Sequence, residues 1–173
     1  MANWNLDPMH SEVQFKVKHL VISTVTGRFN SFTASMEASA DDFSDAKVSF
    51  SADVDSIDTN NGQRDGHLKS DDFFNATQYP KLSFVSTKIE KAGSDYKLTG
   101  DLTIRDKTLP VTLTVEYGGT TVDPYGQTKA GFEISGKVNR KDFGLAWSAV
   151  TEAGGLVVGD EIRLLLSIQM VKA

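Results

Sequence analysis

The amino-acid sequence predicts an all-β fold, an antiparallel barrel of about eight strands with one short helix in the connection between residues 57 and 79. Three observations carry this prediction. Apolar and polar residues alternate over run after run of strand length, and short turn signals separate most of the runs. A single stretch breaks the alternation.

The elements follow in chain order. Val13, Phe15, Val17 and His19 share one parity while Gln14, Lys16 and Lys18 share the other, the pattern of a half-buried strand. Ala34, Met36 and Ala38 continue a strand begun at Gly27 and Phe29, and Phe32 falls out of phase with Phe29, which predicts a bulge between them. Val48, Phe50, Ala52 and Val54 form the next run, followed by Leu82 and Phe84, then Leu98, Gly100, Leu102 and Ile104. The last three runs are the clearest. They are Val111, Leu113, Val115 and Tyr117; Phe132, Ile134, Gly136 and Val138; and Ile162, Leu164, Leu166, Ile168 and Met170, with Arg163, Ser167 and Gln169 facing outward.

Turn chemistry marks Ala92-Gly93-Ser94-Asp95, Arg105-Asp106-Lys107-Thr108, Gly118-Gly119 and Asp123-Pro124-Tyr125-Gly126. Short turns make neighbouring strands antiparallel, and closure into a barrel removes the exposed edges that an open sheet leaves. A two-sheet sandwich gives the same alternation. Between Ile57 and Tyr79 the alternation fails, which predicts a loop with a short helix. Leu68, Phe73 and Phe74 are placed to pack inward there as a lid over one barrel mouth.

Composition narrows the function. A chain of 173 residues with 39% hydrophobic and 24% charged residues is expected to form one globular domain over residues 1–173. A net charge of -5 without a basic patch argues against nucleic acid as a partner. The absence of Cys excludes disulfides, thiolate metal sites and Cys nucleophiles, and fits a reducing compartment. The opening residues have no signal-peptide pattern and no run is long enough to span a bilayer, so the expectation is a cytoplasmic protein without a transmembrane segment, or a periplasmic or secreted one if a leader has been removed.

Catalytic and metal signals are weak. His10 and His19 differ by an odd number and on one regular strand would face opposite ways, and no His-Glu-x-x-His pattern occurs, so no metal site is expected. His19 shares the face of Phe15 and Val17, where an imidazole finds either a structural partner or a polar ligand group. No nucleophile elbow surrounds any Ser, and the Gly154–Gly159 run lacks the context of a phosphate loop and reads as a hairpin loop. Asp58, Arg64, Asp65 and Asp72 form the densest charged group, read as an Arg–carboxylate pairing that pins the lid region, with a catalytic carboxylate pair as the competing reading. Ten Phe residues suit either a solid barrel or one that holds a ligand, and alternation does not decide between them.

The order of residues resembles the YceI family of lipocalin-like, polyisoprenoid-binding proteins over nearly the whole chain. The resemblance rests on Trp4-Asn5-Leu6-Asp7-Pro8 with His10-Ser11, on Phe15, Lys18-His19-Leu20 and Gly27-Arg28-Phe29, and on Ser56-Ile57-Asp58-Thr59, Arg64-Asp65, His67-Leu68 and Asp72-Phe73-Phe74. Tyr79-Pro80, Phe84-Val85-Ser86-Thr87, the Leu98–Arg105 segment, Arg140 and Asp142-Phe143-Gly144 extend it. Asp106, where the family more often has Gly, and Met9 are departures.

The resemblance implies a lipocalin-like eight-stranded barrel whose apolar channel holds a polyisoprenoid, a quinone tail or a fatty-acid-like lipid, with no cofactor beyond that ligand and no enzymatic activity. Carried over by position, the channel lining is expected to be Phe15, Val17, His19, Phe29, Phe32, Val54, Ile57, Leu68, Phe73, Phe84, Leu102, Ile104, Val115, Phe132 and Phe143. It also implies a homodimer. The alternatives are a ligand-free stress-response or interaction module, and an enzyme that uses Asp58, Arg64, Asp65 and His67 on a bound lipid.

Overall fold

In the computed structural model, which describes residues 1–20, 22–145, 147 and 158–173, the strands run β1 (Ala2–Leu6), β2 (Glu12–His19), β3 (Ser23–Phe29), β4 (Phe32–Ala38), β5 (Lys47–Asp53), β6 (Ile57–Asp58), β7 (Lys81–Ala92), β8 (Asp95–Ile104), β9 (Lys107–Val122), β10 (Thr128–Asn139) and β11 (Val158–Lys172). One helix, α1 (Gly62–Lys69), lies between β6 and β7. The ring β1-β4-β5-β7-β8-β9-β10-β11 closes by pairing β11 back onto β1, giving an eight-stranded antiparallel barrel.

The remaining strands extend that wall. β2 follows β1 along the same edge of β11, β3 pairs with β2, and β6 pairs with β3. Each pair β1/β2, β4/β3 and β5/β6 is therefore one strand path with a break, at the 3-10 turn Pro8–His10, at Asn30–Ser31 and at the 3-10 turn Val54–Ser56. The breaks are stitched to their neighbours. Asn30 N donates to Ser56 O at 3.2 Å, Asp53 N to Ser31 O at 2.9 Å, and Asp7 N to Gln169 O at 2.9 Å. The phase change between Phe29 and Phe32 predicted from the sequence is the Asn30–Ser31 break.

Two sequence expectations change. Gly118-Gly119 is not a turn: both glycines lie inside the long strand β9, where the register to β10 shifts at Gly131/Phe132 and Gly119 takes φ 118°. A glycine pair marks a bulge as readily as a turn, because both need a backbone that a Cβ disfavours. The strand β1, unmarked by alternation long enough to read, supplies the buried Trp4 and completes the ring. The Gly154–Gly159 hairpin reading falls on a segment of which residues 154–157 lie outside the described residues.

The barrel has two differently closed ends. At one, the β4–β5 loop (residues 39–46) turns inward and buries Phe43. At the other lie α1 with the segment to Tyr79, the tip of the β8–β9 hairpin and the 3-10 turn Arg140–Phe143. The core joins all of them in one cluster.

Candidate functional site: an apolar cavity along the barrel axis

Between the two ends runs a cavity of about 220 Å³, lined from every one of the eight strand paths and by α1 and its following segment. Nine of the ten Phe residues reach it; Phe32 is the exception. Along β11 the lining alternates as Ile162, Leu164, Leu166, Ile168 and Met170, which spans roughly 20 Å along the axis once a strand rise of about 3.4 Å and the tilt of barrel strands are allowed for. The cavity is therefore narrow and long.

Inward-facing glycines shape its wall. A Cβ at Gly27 would stand 2.2 Å from Phe15 Cζ, one at Gly100 would stand 2.4 Å from Phe84 Cζ, and one at Gly136 would stand 2.5 Å from Leu113 Cδ2. Each large side chain lies flat across the strand where a Cβ is missing. The wall thus stays smooth and the lumen stays open beside the rings.

Of the expected lining residues, Phe15, Val17, Phe29, Leu68, Phe73, Phe84, Leu102, Ile104, Val115, Phe132 and Phe143 meet at this cavity. His19, Phe32, Val54 and Ile57 do not. His19 ends β2 opposite Val158, past the last lining residue of that strand, Val17. Val54 and Ile57 are buried in and just after the β5/β6 break, and Phe32 follows the β3/β4 break with its ring 6.2 Å from Phe50. Phe32, Val54 and Ile57 flank the breaks without reaching the lumen, whereas Phe29, at the end of β3, still lines it.

Ile134, Val138, Ile162, Leu164 and Leu166 also line the cavity and lie on faces already legible from alternation, so extending those faces finds them. Phe43 and Ala46, on a loop without periodicity, give no such signal.

The lid segment is held by polar contacts rather than by helix propensity, since α1 contains two glycines. Asn61 caps it by accepting from Arg64 N at 3.0 Å. Asp65 accepts from the backbone and hydroxyl of buried Thr59, and Arg64 donates through Nε to Thr59 Oγ1 at 2.8 Å and through Nη2 to Thr59 O at 2.6 Å. Arg64 thus binds Thr59 instead of pairing with a carboxylate of its own cluster. Asp58 faces Arg28 at 3.3 Å, and Asp72 pairs with His67 at 2.8 Å. Arg64 and Asp65 thus meet on Thr59 while Asp58 and Asp72 serve separate contacts, and no two of the three carboxylates share a partner.

Arg105 closes the lid from outside. From the β8–β9 tip, at φ 55°, its Nη1 donates to Asp71 O at 3.1 Å and Phe73 O at 3.0 Å, while Nη2 meets Asp71 Oδ1 at 3.1 Å. Its guanidinium also lies 5.7 Å from the centre of the Tyr79 ring. Behind the lid, His67 packs edge-on against Trp147 at 4.8 Å and Phe73 at 5.1 Å.

Arg140, only 2% exposed, is the one charged residue of the lining among the described residues. Nε donates to Gly159 O at 2.9 Å, Nη1 to Leu145 O and Trp147 O at 2.6 Å each, and Nη2 to Val158 O at 3.3 Å. Burial pushes its pKa below the ordinary guanidinium value, and Asp160 at 3.6 Å opposes that shift. Its donors are committed to the backbone, which leaves the lumen wall apolar.

The His residues sit apart. His10 lies in the Pro8–His10 turn against Asp7 rather than on a strand, so the parity argument does not apply to it. Among the described residues, no three His, Asp or Glu side chains gather in a metal-ligating set, and no helix is long and apolar enough to cross a membrane.

A closed up-and-down β-barrel around an elongated apolar cavity is the architecture of the small-ligand-holding barrels. The chain belongs to the YceI-like family, whose domain model matches residues 4–170. A UPF0312 protein of Staphylococcus epidermidis is 35% identical over 170 residues, covering 98% of this chain and 97% of that relative. The crystal structure of the Campylobacter jejuni YCEI protein matches with a TM-score of 0.77 and 36% identity over 97% of this chain and 96% of that one. A polyisoprenoid-binding domain from Saccharophagus degradans matches with a TM-score of 0.68 over 98% of both chains, and at 13% identity this likeness concerns the fold alone.

Proposed function

We propose that this protein binds one long apolar chain in the barrel, a polyisoprenoid, a quinone tail or a fatty-acid-like lipid, and sequesters or carries it without chemical change. The observation that carries the reading is the axial cavity with its apolar wall. At about 24 cal/mol per Å³, a cavity of this size forgoes packing on the order of 5 kcal/mol, comparable with the whole net stability of many domains. A hydrocarbon chain restores those contacts, and each methylene it buries contributes about 0.8 kcal/mol before ordering costs. The aromatic wall suits branched, unsaturated chains.

The test is native mass spectrometry of the purified protein, followed by organic extraction and identification of what is released. A stoichiometric isoprenoid or acyl lipid is expected. Leu102→Trp, which fills the lumen from a buried lining position, should abolish that co-purification while the barrel stays folded. A protein that carries nothing and takes up neither quinones nor fatty acids when they are added would favour an interaction module instead.

A further inference from the structure

We propose that Phe43 is the floor of the cavity and sets the longest chain the barrel admits, with the chain entering tail-first and its polar end staying at the α1 side. This rests on the apolar-chain reading above.

Phe43 is 3% exposed and stands in the left-handed backbone region at φ 62°, which a bulky L-residue rarely adopts. The loop around it is built to hold that conformation. Asp45 accepts from Ser39 N and Ala40 N, Phe43 N donates to Ala40 O at 3.1 Å, and Ala46 N donates to Phe43 O at 3.1 Å. From the neighbouring hairpin, Lys91 meets the Asp42 carboxylate at 2.6 Å and the Tyr96 hydroxyl donates to Asp42 O.

What the loop presents is the ring. It meets Trp4 at 5.3 Å, Tyr117 at 5.3 Å and Phe132 at 5.2 Å, each edge-to-face, and so closes the barrel with four aromatic side chains. A small residue of the same loop, Ala46, also lines the cavity. A chain that reaches the ring can go no further without displacing it.

Polarity gives the direction. Arg140 stands at the α1 end, 5.9 Å from the Phe73 ring, and although its donors bond backbone carbonyls its positive charge favours a polar or anionic head group at that end. At the floor, the Tyr96 hydroxyl is given to Asp42 O. An ionised or hydroxylated head group at the floor end would lie without a partner among apolar side chains, a cost of several kcal/mol that tail-first entry avoids.

The experiment uses delipidated protein and a homologous series of free fatty acids from laurate to behenate, with native mass spectrometry reading the longest chain retained at stoichiometric occupancy. Phe43→Ala is expected to move that limit to longer chains by several methylenes while shorter chains still bind. Ala46→Phe, which raises the floor, is expected to move it to shorter chains, and it serves as the independent probe if Phe43→Ala does not fold. The proposal is overturned if wild type shows a limit and a folded variant of either kind leaves it where it was. It is equally overturned if both variants weaken all chains alike. Wild type that takes up no chain at any length refutes the apolar-chain reading itself, an outcome distinct from an unmoved limit.

Discussion

Gly100 and Gly136 face the same lumen and meet different neighbours, and this separates what a single methyl group does at each. At Gly100 the added carbon would stand 2.5 Å from Val85 O as well as close to the Phe84 ring, so backbone has to move. Gly100→Ala is expected to destabilise by about 1–3 kcal/mol in urea titrations. At Gly136 the close atom is the tip of Leu113, which can rotate away, so Gly136→Ala should cost distinctly less. Equal midpoints for the two variants would contradict this account. Arg140 is the other position where one side chain carries a large effect. Arg140→Met keeps the bulk and leaves the Leu145, Trp147 and Gly159 carbonyls without their donor. A loss of about 3 kcal/mol or more is expected, measured by the same titration.

At the scale of elements, the lid is the part whose order depends on contacts to something else. α1 has weak intrinsic propensity, and the segment after it is tied to a different hairpin through Arg105. Arg105→Gln should raise amide hydrogen exchange across residues 62–76 and leave β8–β10 protected. Uniform loss of protection would show that Arg105 supports the barrel rather than the lid. The same division separates what was legible in the sequence from what was not. Strands β8, β10 and β11 and the first half of β9 are readable because each alternates over a long run, so parity gives Leu102, Ile104, Val115 and Phe132 an inward face, and the resemblance makes that face the channel. The broken paths were harder. The resemblance placed Val54 and Ile57 on the lumen by position, whereas the structure buries both at the Val54–Ser56 break, away from the cavity. Phe43 carries no sequence signal, because a loop residue at positive φ belongs to no periodic run.

For the whole molecule, acid is the condition that reaches many contacts together. Hydrogen bonding to Lys91 and Ser44 holds the Asp42 carboxyl far below its ordinary value of 3.8, and the amides of Ala40, Asn60 and Gln127 do the same, less strongly, for Asp45, Asp58 and Asp123. At Asp7 burial pulls the other way, and hydrogen bonds from Lys129 and His10 outweigh it. Because these folded-state values lie below the unfolded ones, their stabilisation is present above about pH 4 and is lost as pH falls through the folded-state values. The urea midpoint should accordingly be insensitive to these groups near neutrality and drop steeply below about pH 4. Asp45→Asn should flatten that drop, and an unchanged slope in the variant would exclude this loop as a contributor. Lys91 and Lys129, raised by Asp42 and Asp7, act in the opposite sense, contributing below their ordinary 10.5 and failing as alkaline pH passes their folded-state values.

The closure of the ring between β1 and β11 bears on how the molecule comes into being. Trp4 pairs with Lys172 and Leu6 with Met170, so the first strand of the barrel waits for the barrel's last. Such distant pairing makes folding slow. Until β11 arrives, β10 and β2 both present bare edges, and the chain on the ribosome is an open, curling ribbon whose greasy concave side faces water. Open edges of that kind recruit other strands. The nascent barrel is therefore most prone to aggregate just before its fifteen-residue closing strand is added, and that strand, by occupying both edges in one step, ends the hazard and encloses the lumen together.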